Sequence, residues 1–365
     1  MHIGSPHRKR AHFQGVVFIF LALLCPVAQA DEVDDFIKGV MERESIPGLS
    51  LAVLKRGEII KCKGYGVADI ELKSPATPDT VYQLASITKT FTATAIMQLV
   101  EDRKIRLSDR ITRRLAGLPK TWSEVKISHL LTHTSGIKSY TQLSAIADHP
   151  EREFTADEMI ALVADLPLEF RPGERYDYSN TGYYLLGLLI ENISGQSYGD
   201  FLNTRIFTPA GMARTRVNSS DFIPGRATGY VLGDGKVKKG TFVNPTQPFA
   251  AGALITTVTD LAKWDAALYT DKILKQSTLQ KMWKSATLND GTVLNYGFGW
   301  GTREWQGRRY VQHNGGIIGF SSHMRRGLDD GLTIIVLANL SGRAIYAEEI
   351  AQGLLPFYRT ETESK

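Results

Sequence analysis

Three short runs in this chain of 365 residues hold side chains able to do chemistry together. The first is Ser86-Ile87-Thr88-Lys89. Residues three apart on a helix share a face, so a Lys89 ammonium there reaches the Ser86 hydroxyl. Free serine is a weak nucleophile and needs a neighbouring base or an amine of lowered pKa. A helix N-terminus adds backbone N–H groups that can hold an oxyanion. The spacing alone does not single out this pair, because Ser123/Lys126 and Ser135/Lys138 repeat it. Their surroundings separate them. Ser86 follows the extended run 81–85 and opens a helix whose Phe91, Ala95, Ile96, Leu99 and Val100 form one apolar stripe. Ser123 falls in 121–124, which reads as a capping box, and Ser135 falls in the turn 134–136.

The second run is Tyr178-Ser179-Asn180, just before a helix expected from Thr181. A tyrosine beside a lysine can relay a proton, and an Asn amide can bind a substrate carbonyl. Taken alone, the run reads better as a capping Asn180 and an interface-filling Tyr178. The third is His313-Asn314-Gly315-Gly316. It offers a donor at a strand end and glycines that let a ligand approach the backbone. Taken alone, it reads as a turn.

Two further patterns are decoys. Gly195-Gln196-Ser197-Tyr198-Gly199 matches a nucleophile elbow, which needs a strand before it and a helix after it. Here it joins two expected helices, 181–194 and 198–206. His129 and His133 have the i, i+4 spacing of a zinc helix, but Leu130 stands where a metalloprotease has its Glu base. No metal or organic cofactor is expected, because Ser86, Lys89 and Tyr178 cover nucleophile and proton transfer.

The elements that must carry these runs follow from periodicity. Val33, Phe36, Ile37, Val40 and Met41 recur at helical spacing and stop before Pro47-Gly48. Runs 49–54 and 59–63 flank Lys55-Arg56-Gly57-Glu58, a hairpin signal. Near the other end, 298–305, 308–313, 317–325 and 332–339 read as strands, with 306–307, 314–316 and 328–331 as turns. A closing helix is expected over 344–355. Between them the chain is mostly helical, over 88–103, 125–133, 155–165, 181–194, 198–206 and 259–269. Strands at both ends and helices between them predict an α+β fold. An antiparallel sheet of about five strands is flanked by helices, beside a mostly helical lobe. The sheet lobe covers about 31–80 and 270–360, and the helical lobe about 81–269.

Composition then sets the setting. The formal charge is +5, from 43 Lys+Arg against 38 Asp+Glu, and the ordinary globular composition excludes disordered, collagen-like and coiled-coil classes. A basic start (His7-Arg8-Lys9-Arg10), an apolar run (15–25) and Ala28-Gln29-Ala30 are the parts of a secretory signal peptide, with cleavage expected after Ala30. The apolar run is too short to span a membrane, so no stable span is expected after cleavage. Losing residues 1–30 removes Arg8, Lys9 and Arg10 and no acid, leaving +2 over 335 residues. No basic stripe with interleaved aromatics remains, which excludes a nucleic-acid partner. Cys25 leaves too, so Cys62 has no internal disulfide partner. Lys236–Lys239 reads as a solvated basic loop.

In their order along the chain, Ser86-x-x-Lys89, Tyr178-x-Asn180 and His313-x-Gly315 resemble the three motifs of the serine beta-lactamase and penicillin-binding protein superfamily. The branch most similar contains class C beta-lactamases, DD-carboxypeptidases, D-aminopeptidases and related esterases. LLTHTSG (130–136), PGERYDYSNTG (172–182) and YGFGW (296–300) are also similar to that branch. The resemblance covers about residues 34–355.

It implies a beta-lactamase/transpeptidase-like fold with a cleft between sheet and helical lobe. Ser86 would be the acylated nucleophile, Lys89 its activating partner and Tyr178 a general base and then acid. Asn180 would contact the substrate carbonyl side, and the N–H groups of Ser86 and Gly316 would form the oxyanion hole. The residues do not decide whether Lys89 or Tyr178 takes the first proton. One departure matters: class C beta-lactamases have Lys-Thr-Gly where this chain has His313-Asn314-Gly315. A neutral His anchors a carboxylate less strongly than a Lys charge. The expectation is therefore an exported, periplasmic or secreted, serine hydrolase acting on D-amino-acid peptides or small esters and amides, with room for weak beta-lactam hydrolysis. A class C-type beta-lactamase and a non-hydrolytic penicillin-binding sensor of the same fold are the alternatives.

Overall fold

The computed structural model describes residues 27–342 and 346–359, together with residues 1, 2 and 4. The basic start and apolar run of the expected signal peptide lie outside the described residues. Helix α1 (Val27–Glu44) begins ahead of the expected cleavage point and buries Val33, Ile37, Val40 and Met41. Strand β1 (Gly48–Lys55) is buried along nearly its whole length, as an apolar run covered on both faces must be. β2 (Glu58–Asp69) returns antiparallel after Arg56 and Gly57, both at positive φ, the conformation a two-residue hairpin turn demands. β3 (Ser74–Pro75) closes that edge.

The chain then turns mainly helical. Helices expected over 88–103, 155–165, 181–194 and 259–269 form as α2 (Thr88–Glu101), α3 (Ala156–Ala164), α4 (Asn180–Ser194) and α5 (Val258–Ala267). Four more strands complete the sheet: β4 (Gly301–Trp305), β5 (Arg308–Ile317), β6 (Phe320–Gly327) and β7 (Leu332–Ala338). α6 (Tyr346–Gly353) packs with α1 on its outer face. The sheet runs β3-β2-β1-β7-β6-β5-β4, seven strands rather than about five. β1 pairs with β7, Leu49 opposite Ala338, so the two chain ends meet at its centre.

Two local readings are corrected. Asn314, Gly315 and Gly316 are strand, paired with His323, Ser322 and Ser321; the turn lies at Ile318-Gly319. The glycine is there for space. A Cβ on Gly315 would sit 2.4 Å from the Leu84 carbonyl oxygen and 2.2 Å from Ser322 Oγ. Lys236–Lys239 is a short strand, not a loop, paired with Tyr230–Gly233 around Asp234-Gly235, both at positive φ. Among the described residues, no helix is long and apolar enough to cross a membrane.

One core fills the space between the sheet's inner face and the helices; a second lies under α1 and α6. The inner core brings α2, α4 and β5 to one cleft.

Candidate active site

Ser86 stands at a forced junction. Tyr82–Gln83 pairs with Leu254–Thr256, and the Leu84 N–H donates to the Leu254 carbonyl at 2.8 Å. Ala85 then takes a left-handed backbone, φ 49°, an uncommon conformation for a residue with a Cβ. A short 3-10 turn, Ala85–Ile87, feeds directly into α2. The turn carries Ser86 into the cleft, partly exposed, while Ile87 and Phe91 anchor it in the core.

Lys89, one turn on, is fully buried. Its Nζ lies 3.2 Å from Ser86 Oγ, 2.8 Å from Asn180 Oδ1 and 2.8 Å from the Ala251 carbonyl oxygen. None of these partners carries a negative charge. Burial therefore pushes the Lys89 pKa well below the usual lysine range. As a neutral amine, Lys89 can donate two N–H bonds to its obligate acceptors, Asn180 Oδ1 and Ala251 O. Its lone pair then faces the Ser86 hydroxyl, an arrangement able to take the serine proton.

Asn180 does not cap α4; Ser179 holds that position, and no side chain caps the helix. The Asn180 amide is thus available to the cleft, with Nδ2 donating to Thr141 Oγ1 at 3.2 Å. Tyr178 is half-buried, its ring centroid 4.8 Å from Lys89 Nζ. Burial pushes its phenol above the usual range, and a hydrogen bond with Ser86 opposes that shift. The structure brings all three motifs together. Gly316 is exposed on β5 and lines the cleft with Ser86 and Asn180. β4 pairs with β5 only as far as Gln312, so among the described residues Gly315 and Gly316 have no paired strand on that side.

His313 is buried, and both of its ring nitrogens are engaged inside the protein. Nε2 lies 3.0 Å from the Tyr296 hydroxyl and Nδ1 2.7 Å from the Asn314 carbonyl oxygen. Burial, the largest cause, pushes its pKa down to about 3, against the pull of that carbonyl, so the ring is neutral. The Asn314 side chain turns elsewhere, Oδ1 to His323 Nδ1 at 2.6 Å and Nδ2 to Glu348.

Two residues of the site had no assigned role in the sequence reading: His133, stacked on Tyr178 with ring centroids 4.2 Å apart, and Tyr296. Both fall in segments that resemble the family, LLTHTSG and YGFGW, which was the available signal.

The decoys resolve on local geometry. Ser197 caps the helix Tyr198–Leu202, its Oγ accepting from the Asp200 N–H at 3.1 Å and donating to Asp200 Oδ2 at 2.7 Å. It borders a groove of about 600 Å³ that holds none of the three motifs. His129 and His133 do not share a helix face. The helix ends at Leu131, and His133 has a left-handed backbone, φ 57°. Ser123 ends a 3-10 turn rather than sitting in a capping box, and Glu124 pairs with Arg110 at 2.9 Å.

The Beta-lactamase family matches residues 33–355 of this chain. Penicillin-binding protein 4* of Bacillus subtilis is 33% identical over 328 residues, covering 85% of this chain and 71% of that protein. Curated relatives from Staphylococcus aureus are spanned over 64% of their length. Among solved structures, the octameric penicillin-binding protein homologue from Pyrococcus abyssi aligns with a TM-score of 0.78 and 30% identity, over 91% of this chain and 78% of that one. D-amino acid amidase from Ochrobactrum anthropi SV3, complexed with L-phenylalanine amide, aligns with a TM-score of 0.77 and 29% identity, over 90% and 97%. With the serine, the buried lysine and the tyrosine in one cleft, and this match along nearly the whole described chain, the protein belongs to the beta-lactamase family of serine hydrolases.

Proposed function

We propose that the protein is an exported hydrolase that cleaves small esters and amides, including those of D-amino acids, through an acyl-enzyme on Ser86. The observation that carries this reading is the environment of Lys89: fully buried, 3.2 Å from Ser86 Oγ, and held by two neutral acceptors. A lowered lysine pKa and a raised tyrosine pKa favour the Lys89 amine as first proton acceptor. Ser86 Oγ bonds to the substrate carbonyl carbon while its proton passes to Lys89. The N–H groups of Ser86 and Gly316 hold the oxyanion. The C–N or C–O bond then breaks, and Tyr178 passes a proton to the leaving amine or alcohol and regains one from Lys89. Water hydrolyses the acyl-serine by the reverse path.

The cleft supports the substrate class. Its cavity of about 290 Å³ places Tyr140, Ile146, Pro150, Val243 and Ile317 around Ser86 and Asn180. That wall suits an apolar acyl group. With the side chains of His313 and Asn314 engaged internally, the third motif turns backbone rather than a charge toward substrate, so beta-lactam turnover is expected to be weak. The names of the amidase and penicillin-binding relatives agree with acyl transfer at amides. Export rests on the basic and apolar leader in the sequence.

The test uses the mature protein with a short-chain nitrophenyl ester, a D-amino acid amide, a D-Ala-D-Ala peptide and a chromogenic cephalosporin. Ester or amide turnover that disappears in Ser86→Ala, with a Ser86-linked acyl group trapped by mass spectrometry, supports the reading. Undiminished turnover in Ser86→Ala sinks it, and stable labelling without turnover would identify a sensor instead.

A further inference from the structure

His133 sits where the two walls of the cleft meet, and the proposed chemistry gives it no part. It is buried, just past the helix Ile127–Leu131. Its Nδ1 accepts the Ser179 backbone N–H at 3.1 Å, so a neutral ring must carry its proton on Nε2. The ring is neutral: burial, the largest cause, holds its pKa well below the usual histidine value. Nε2–H then donates to the Tyr296 hydroxyl at 3.2 Å, which leaves the Tyr296 proton for His313 Nε2 at 3.0 Å. His313 in turn donates from Nδ1 to the Asn314 carbonyl at 2.7 Å. All four bonds are satisfied by one direction of donation, from Ser179 through to β5.

The packing repeats that connection. The His133 ring stacks on Tyr178 at 4.2 Å and 32° and borders Tyr183 at 5.0 Å. Ser179, whose N–H it receives, lies between Tyr178 and Asn180. Tyr296 is held against α2 through its own segment, because Gly299 lies so close that a Cβ there would stand 2.7 Å from the Lys89 carbonyl oxygen.

We propose that His133 is a positioning residue: as its Nε2–H tautomer it fastens the Tyr178–Asn180 segment to β5 through Tyr296 and His313, and so aims Tyr178 and Asn180 at Ser86 and Lys89. The inference rests on the reading of Ser86 as nucleophile. A buried aromatic filler would predict something different, since a phenyl ring would replace it.

Three substitutions separate the two, measured on the nitrophenyl ester with thermal midpoints recorded for each. His133→Phe keeps the ring and loses both bonds; kcat should fall about 100-fold, the scale of a small misplacement of reacting groups, with KM within about threefold. His133→Asn presents Oδ1 where Nδ1 stood and can still accept the Ser179 N–H, so it should recover at least about tenfold of that loss. Tyr296→Phe deletes one hydroxyl and frees His133 from β5; kcat should fall about tenfold with KM unchanged. A His133→Phe variant with wild-type kcat overturns the proposal. So do Phe and Asn variants that lose kcat equally and in step with their thermal midpoints. If neither His133 variant folds, Tyr296→Phe decides, and an unchanged kcat there overturns it. Activity surviving in Ser86→Ala would instead refute the nucleophile, a separate result, because every variant in this series retains Ser86.

Discussion

Lys89 and Arg326 are both buried cationic side chains on the sheet–helix boundary, and their surroundings treat them in opposite ways. Arg326, on β6, donates from Nη1 to the Asp265 carboxylate on α5, and Asp265 Oδ1 also accepts from Thr333 Oγ1 of β7 at 2.8 Å. Its guanidinium lies 3.9 Å from the Tyr269 ring centroid and 5.4 Å from that of Trp283. Burial raises the Asp265 carboxyl pKa and Arg326 pulls it back down, so the pair offsets part of its own desolvation. Lys89 also has aromatic neighbours, the Tyr178 and Tyr183 rings at 4.8 and 5.5 Å, but among the described residues its hydrogen-bond partners are a hydroxyl, an amide oxygen and a carbonyl. Where an opposite charge is supplied, the cation persists and fastens a helix to the sheet. Where only neutral acceptors are supplied, the amine can shed its proton, which is the condition for reactivity.

The largest test of that contrast is Lys89→Met. It should lower kcat/KM by about 10³-fold or more, because proton transfer loses its acceptor. The thermal midpoint should fall only modestly, since Asn180 Oδ1 and the Ala251 carbonyl lose their donor while the apolar chain fills the same space. A variant that unfolds while keeping its specific activity would reverse the assignment. The sign of the pH dependence follows from the same group. The neutral amine is the working form, so rate rises as pH climbs through the Lys89 pKa. Burial places that pKa well below 10.5, and the plateau should arrive before the ordinary lysine range. His313, at about 3, adds no inflection near neutrality. A profile still climbing at pH 10 would contradict the lowered pKa.

Asp265→Ala comes next in size. It strands Arg326 without its counter-charge and should cost about 3–5 kcal/mol in denaturant unfolding, with kcat of the folded protein unchanged. The double variant Asp265→Ala/Arg326→Met should recover most of that loss; if it does not, the pair contributes more than mutual compensation. Thr333→Val, which removes one hydrogen bond to the carboxylate, should cost about 1 kcal/mol. A loss of activity in either Asp265→Ala or Thr333→Val, at constant folded fraction, would show that the two buried cations are coupled.

Much of the site was legible in the chain, for identifiable reasons. Ser86 and Lys89 are three residues apart on one helical stretch, so local geometry brings them together. The apolar stripe of α2 separated that pair from the two other S-x-x-K matches, and the missing strand before Ser197 dismissed the elbow pattern. Residues 314–316 read as a turn in sequence yet form strand, because glycines that mark turns also permit close approach. Only the neighbour, Leu84 from another part of the chain, shows which applies. The Lys236–Lys239 strand was read as a loop because a charged run looks solvated, although Asp234-Gly235 between two short strands is itself a hairpin signal.

The linear order of residues thus settled the identity and spacing of the reactive groups, because helical and strand periods are short-range properties of the backbone. Their protonation states came from tertiary packing alone. The Lys89 pKa is lowered by burial, in a pocket whose walls include Asn180 and Ala251, 91 and 162 positions away in the chain. The proton on the His133 ring is assigned by Ser179, 46 positions on. Desolvation and hydrogen-bond direction depend on what surrounds a group in space, and no local spacing contains that information.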